Sequence, residues 1–136
     1  MIFEKLFLKI GLLILRVSVS ILMLIHGIPK IGMLFSGNAH LFPDPIGLGS
    51  TLSLILVIIA EVLCSALLIV GFKSRLFSLP LLFEMIIAVF VVHAGLAFSQ
   101  KELPVLYLIA YTTIAFTGSG ELSLDHFIGK KKKAKK

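Results

Sequence analysis

Apolar residues in this chain come in long runs broken by single charges, not in the short periodic stripes of a soluble amphipathic helix. Four runs stand out, at about residues 10–28, 52–70, 79–97 and 103–117. Each approaches the roughly 20 residues a helix needs to cross a hydrocarbon core, although the fourth needs its flanks to reach across. Leu- and Ile-rich runs of this length fit helices, and the roughly ten-residue alternating strands of a membrane barrel are absent. The pattern predicts an all-α integral membrane four-helix bundle in one domain over residues 1–129, followed by a basic tail at 130–136.

The first connection, about Ser36 to Gly49, is the long one, and it holds Phe42-Pro43-Asp44-Pro45 followed by Gly47 and Gly49. Prolines stiffen it, glycines let it turn, and apolar Leu41-Phe42 is expected to fold it back over the bundle as a cap that includes Asp44. Gly71 and Gly118 stand where the second and fourth spans should end. Ser123 is placed to cap a short amphipathic piece carrying Leu124, Phe127 and Ile128.

Composition agrees with the runs. With 58% hydrophobic residues over 136 positions and a mean hydropathy of +1.08, the chain is too apolar for a soluble domain. The net charge of +6 is concentrated in the tail, Lys130 to Lys136. Lys5, Lys9, Lys73, Arg75 and that tail fall on one side of the predicted spans, with Lys30 and Lys101 on the other, so both termini are expected to be cytoplasmic. Each tail lysine contributes about 1 kcal/mol of attraction to an anionic leaflet, so lipid headgroups account for the basicity and no nucleic-acid partner is expected. Lys5 and Lys9 ahead of an apolar run resemble a signal peptide, but the run continues to Ile28 without a small-x-small cleavage site, so the first helix is expected to be retained. The lone Cys64 excludes an intrachain disulfide and CxxC chemistry, and it reads as a small buried hydrophobe.

The charges inside the spans carry the chemistry. Glu61 lies at the middle of the second run, where a charge costs on the order of 3 kcal/mol unless paired, protonated or facing a polar cavity. On the first helix Arg16, Ser20, Met23, His26, Gly27 and Lys30 share a stripe of about 120°, and Ser53, Glu61, Cys64 and Ser65 share a face of the second. Arg16 lies about 10 Å and Glu61 about 15 Å from the cytoplasmic ends of their runs, which predicts an Arg16–Glu61 ion pair. His26 and His93, both about 25 Å deep, form an outer layer that Lys30 could join.

Glu84 and His93 are nine residues apart and point in nearly opposite directions, so one of them faces the pocket. His93 is assigned there, and Glu84 is assigned to the rim, one turn inside Pro80 and within reach of Arg75. Pro29 leaves the Ile25 carbonyl without its helical partner, either as a ligand contact or as a kink satisfied by water or Ser. Tyr107 and Tyr111 read as packing residues. His26, His93 and Glu61 have acceptable types for a metal but no local spacing such as HExxH, so none is expected.

These residues together resemble the DoxX family of small four-helix membrane proteins. The resemblance is carried by His26-Gly27 with Pro29-Lys30, Phe42 to Gly49, Glu61 with Gly71, Ala88 to Ala94, Lys101-Glu102-Leu103 and Gly118 to Asp125. Ser119 stands where the pattern has proline, and Glu84 lies outside it. The resemblance implies a multi-pass protein of the plasma (inner) membrane, a subunit or partner of a membrane oxidoreductase system such as one passing electrons from thiosulfate to quinone. On that basis an outward-facing pocket is expected to bind a quinone or small redox ligand. Lys30 and His26 would bond its oxygen, with His93 and Glu61 as proton relay and Arg16 balancing the charge. Nothing in the chain carries electrons alone, so an oxidoreductase partner or a bound quinone is then required, and a homo-oligomer is compatible with the apolar faces. The competing readings are a small proton-coupled permease and an assembly protein without catalysis.

Overall fold

The computed structural model describes residues 1–134 and is all-helical, with no strand among the described residues. Helix α1 spans Ile2–Phe35, α2 Ser50–Val70, α3 Ser74–Val92, α4 Phe98–Thr117 and the short α5 Leu124–Lys133. Helices α1, α2 and α3 are long and apolar enough to cross a membrane. The 20-residue α4 packs along α3 and closes the bundle onto α1. Lys135 and Lys136, the end of the expected basic tail, lie outside the described residues.

The interior is built from Val19 and Met23 of α1, Ala60, Cys64 and Leu68 of α2, Leu81 and Met85 of α3, and Tyr107, Tyr111 and Ile114 of α4. Large apolar side chains such as Ile14, Ile21, Leu63, Leu79, Phe90 and Ile109 point outward and stay exposed. An apolar exterior around an interior that contains serines and charges is the arrangement lipid demands, because polar groups find partners only inside the bundle.

Helix α1 is far longer than its apolar run and passes straight through Pro29, so the helix begins about two turns before Ile10. That changes the vertical register. Arg16 is almost fully buried and does not pair with Glu61; its Nη1 donates to the carbonyls of Leu68 (2.6 Å) and Ile69 (3.0 Å), and its Nη2 to that of Leu122 (2.8 Å). The predicted Arg16–Glu61 pair is therefore replaced by a clamp on the end of α2. The last carbonyls of a helix lack internal partners, and a guanidinium fork satisfies several of them at once.

Gly71 ends α2 in the left-handed conformation (φ 75°) and is doubly constrained, since an added methyl would collide with the Arg16 guanidinium and with Ser123. The C-terminal segment folds over this end. Asp125 accepts from the Lys73 N–H at 2.9 Å and the Ser119 hydroxyl at 2.5 Å, while its own N–H donates to the Gly71 carbonyl. Burial pushes the Asp125 carboxyl upward, but those bonds and the Arg16 charge outweigh it and hold it below its ordinary value. Ser123 caps α5 by accepting from the His126 N–H.

At the opposite end, the loop between α1 and α2 is organised by Asp44. Its carboxylate accepts from the N–H groups of Leu48 and Gly49 and from the Ser53 hydroxyl, tying the turn to the first residues of α2.

Two outcomes follow from these contacts. Arg16→Leu removes three hydrogen bonds and takes the guanidinium from the Ile69 and Leu122 carbonyls, Leu68 keeping only its bond from the Gly71 N–H, and should destabilise the protein by more than about 3 kcal/mol, with Arg16→Lys recovering only part; reversible unfolding in mixed micelles measures this, and a native-like stability for Arg16→Leu would refute the clamp. The bond from Gly49 and its fellows also holds the Asp44 carboxyl below its ordinary value, so its contribution is present above that value and is lost as pH falls through the lowered one. Amide exchange should find Leu48 and Gly49 protected until the pH drops below the usual carboxylate range, and unprotected at every pH in Asp44→Ala.

Candidate functional site

With Arg16 level with the end of α2, the antiparallel neighbours run in step. Eleven residues up α1 is Gly27 and ten residues back along α2 is Glu61, each about 15 Å from the clamp. The two meet: a methyl on Gly27 would lie 2.8 Å from both the Glu61 Cβ and a Val62 methyl. Glycine is thus the residue that lets the α1 backbone press against Glu61.

Lys30 lies one turn beyond Gly27, and helical side chains lean toward the helix N-terminus, so its ammonium reaches back over the contact. It lies 2.5 Å from both oxygens of Glu61, whose side chain is 4% exposed against 26% for Lys30. Lys30 is therefore the cation that balances the deep carboxylate.

Glu61 sits in a π-helical stretch, Ile59–Cys64, and a second one, Ala88–Val92, ends α3. Each wide turn interrupts the regular α-helical spacing of side chains, a distortion that recurs at functional sites. Between α2 and α3, roofed by Phe42, Pro43 and Pro45, is a cavity of about 620 Å³. Lys30, Glu61 and Glu84 line it together, and most of the remaining wall is apolar, including Leu56, Val57, Phe83 and Met85. Leu56 and Phe83 are themselves about half exposed, so the cavity opens sideways between the helices.

Glu84 is the residue that the sequence placed elsewhere. It lies beside Glu61, its carboxyl within hydrogen-bond reach of the Glu61 carboxyl, instead of resting on the rim. Of the two, Glu84 lines the cavity and His93 does not, and the π-helical stretch between them breaks the regular spacing on which the opposite-faces argument relied. His93 is absent from the lining and ends α3, where its main-chain N–H and its ring Nδ1 both contact the Ala88 carbonyl. His26 is also outside the cavity; its Nδ1 contacts the Leu22 carbonyl at 2.9 Å and its ring meets Tyr107 edge-on at 5.8 Å, joining α1 to α4. Of the ligand-binding set expected from sequence, the structure gathers Lys30 and Glu61 in the cavity and leaves Arg16, His26 and His93 outside it. The Asp44 loop forms its roof.

What the cavity can do follows from its contents. Three ionisable groups, two acidic and one basic, stand at one end of an apolar chamber, so it can seat a mostly apolar molecule by a small polar head. Between α3 and α5 there is a second, shallower pocket of about 470 Å³, lined by Lys73, Arg75, Ser119 and His126 among others, on the side of the Arg16 clamp.

The comparisons agree with this architecture. The chain is 32% identical over 127 residues to a protein of Bacillus subtilis (strain 168) named "Putative oxidoreductase CatD", covering 92% of each. No solved structure gives a significant match. The DoxX family model matches residues 11–94, which include the Gly27 contact, the Lys30–Glu61 pair, the loop and Glu84. By that match over more than half its length, and by the relative aligned along nearly all of it, this chain is a membrane protein that belongs to the DoxX family.

Proposed function

We propose that the protein serves a plasma-membrane oxidoreductase system by holding a quinone or another small redox ligand in the cavity between α2 and α3. The observation that carries this is the junction of one ammonium and two carboxyls with an apolar, sideways-open chamber. A lipid-soluble molecule can enter such a chamber from the bilayer and be fixed by its head. The designation of CatD as an oxidoreductase gives the same direction.

The residues present fit a quinone-type ligand. Its ring and chain match the walls of Phe42, Leu56 and Phe83, and the Lys30 ammonium, with three N–H donors, has one beyond the two directed at Glu61. Such a ligand supplies electron transfer when bound, and an oxidoreductase partner would supply or remove the electrons. The chain's own side chains orient the head, exclude bulk water and offer carboxylate sites for a proton.

In this reading α4 crosses with the other three helices, and both termini lie in the cytoplasm. Lys130 to Lys133 of α5 rest on anionic headgroups there, and the Asp44 loop roofs the cavity on the outer side.

Extraction from native membrane and analysis of co-purified lipid-soluble redox compounds tests the proposal. Lys30→Met and Glu61→Gln should lose most of the ligand while His26→Ala, outside the cavity, keeps it. Equal content in all three would sink the assignment.

A further inference from the structure

The turn from α2 into α3 sets two cations, Lys73 and Arg75, just beyond the apolar span, and the folded C-terminal segment comes up against them. We propose that the pocket of about 470 Å³ between α3 and α5 is a discrete site for the phosphate of an anionic membrane lipid, bound by Arg75 and Lys73.

The pocket has positive charge to spare. Neither Lys73 nor Arg75 forms an ion pair with an acidic side chain among the described residues. Asp125 is the acidic residue of the wall, and its carboxylate is already engaged: it accepts from the Lys73 main-chain N–H and the Ser119 hydroxyl, with the Arg16 charge behind it. The next acid along the segment, Glu121, is held by Lys9 at 2.6 Å. The Lys73 ammonium instead stands 5.5 Å over the Phe72 ring. Arg75 lies across Gly118, where an added methyl would come 3.1 Å from its Nε, so the glycine makes room for the guanidinium. His126 of α5 lines the same pocket and adds a ring that can donate.

A phosphate fits this wall. Its oxygens accept from a guanidinium fork and an ammonium at once, and its charge meets two cations that no carboxylate balances. A soluble phosphate compound would present the same oxygens, but the surroundings favour a lipid. Leu76 belongs to the pocket wall, is about half exposed, and stands one turn before the equally exposed Leu79, so the wall runs from the cations onto the outer apolar surface of α3. On the other flank α5 presents exposed Leu124 and Phe127 ahead of Lys130 to Lys133. Basic pockets at the ends of spans are suited to anionic headgroups, with the acyl chains left along the helices. The site differs in kind from the row of α5 lysines. Those are exposed and attract any negative surface, whereas the pocket has walls and holds one head.

The full-length protein, purified in detergent, is titrated with dioleoylphosphatidylglycerol, dioleoylphosphatidylcholine or the water-soluble glycerol 1-phosphate, and bound molecules are counted by native mass spectrometry. One phosphatidylglycerol should bind at least about tenfold more tightly than phosphatidylcholine, because each cation adds attraction for a head of net negative charge. Arg75→Gln should lose most of that preference, and Lys73→Gln combined with Arg75→Gln should abolish it. Glutamine at Lys130, Lys131, Lys132 and Lys133 together should change it by less than about twofold at about 0.15 M salt, where separated exposed charges are screened. Equal binding of the two lipids, a preference that survives loss of both pocket cations, or one that disappears with the α5 lysines would overturn the site. Glycerol phosphate binding as tightly as the anionic lipid would overturn its assignment to a lipid. None of these outcomes depends on what the cavity between α2 and α3 holds.

Discussion

The Arg16 guanidinium and the three carbonyls it holds fix the height of α1 against α2, and the rest of the bundle follows from that height. In an apolar surrounding a cation without partners would be expelled, so the clamp admits little sliding. Once Arg16 is level with Gly71, Gly27 is level with Glu61 and Lys30 stands one turn above, leaning back. The ion pair in the middle of the membrane domain is thus set by a contact about 15 Å away. Gly71 and Gly27 are the two places where α1 and its surroundings come too close for a side chain, and they mark the two ends of this register.

Much of this was legible in the chain. The apolar runs located the helices, the proline and glycine pattern located the loop, and the cost of a central charge singled out Glu61. The shared stripe on α1 correctly put Arg16, Ser20, Met23 and Gly27 inside, all of them buried. What hydropathy could not give was where α1 begins. Its first turn carries Glu4 and Lys5, which end an apolar run without ending a helix. Measured from Ile10, Arg16 seemed close enough to Glu61, but the ends of α1 and α2 are not level: α1 runs past the end of α2 by most of the stretch before Arg16, and Arg16 meets that end itself. A clue existed in Gly71, since a helix end inside a membrane domain leaves carbonyls that some buried donor has to meet.

The site was partly hidden for a different reason. Depth arguments treat each helix as a straight ladder of 1.5 Å steps, but a lysine side chain spans about a helical turn and leans toward the N-terminus, which returns Lys30 to the level of Glu61. Helix α3 posed a choice between two faces, and chemistry of the lone residues favoured histidine over glutamate for a pocket. In the folded chain His93 lies at the end of its helix, where its ring turns back to the Ala88 carbonyl that its own main-chain N–H also contacts, and it does not reach the cavity. Neither π-helical stretch has a sequence signal in this chain comparable to a proline or a glycine.

These placements separate two tasks that the sequence ran together. Arg16, Asp125 and the Gly71 turn satisfy a helix end, and removing any of them would act on folding. Lys30, Glu61 and Glu84 have a different character, because two acidic groups share one cation and the balance is left open toward a cavity. A purely structural ion pair needs neither the third charge nor the space beside it. The second carboxyl, Glu84 beside Glu61, is the point at which stability alone ceases to explain the arrangement, since an apolar side chain there would spare the bundle a second acidic group next to the first.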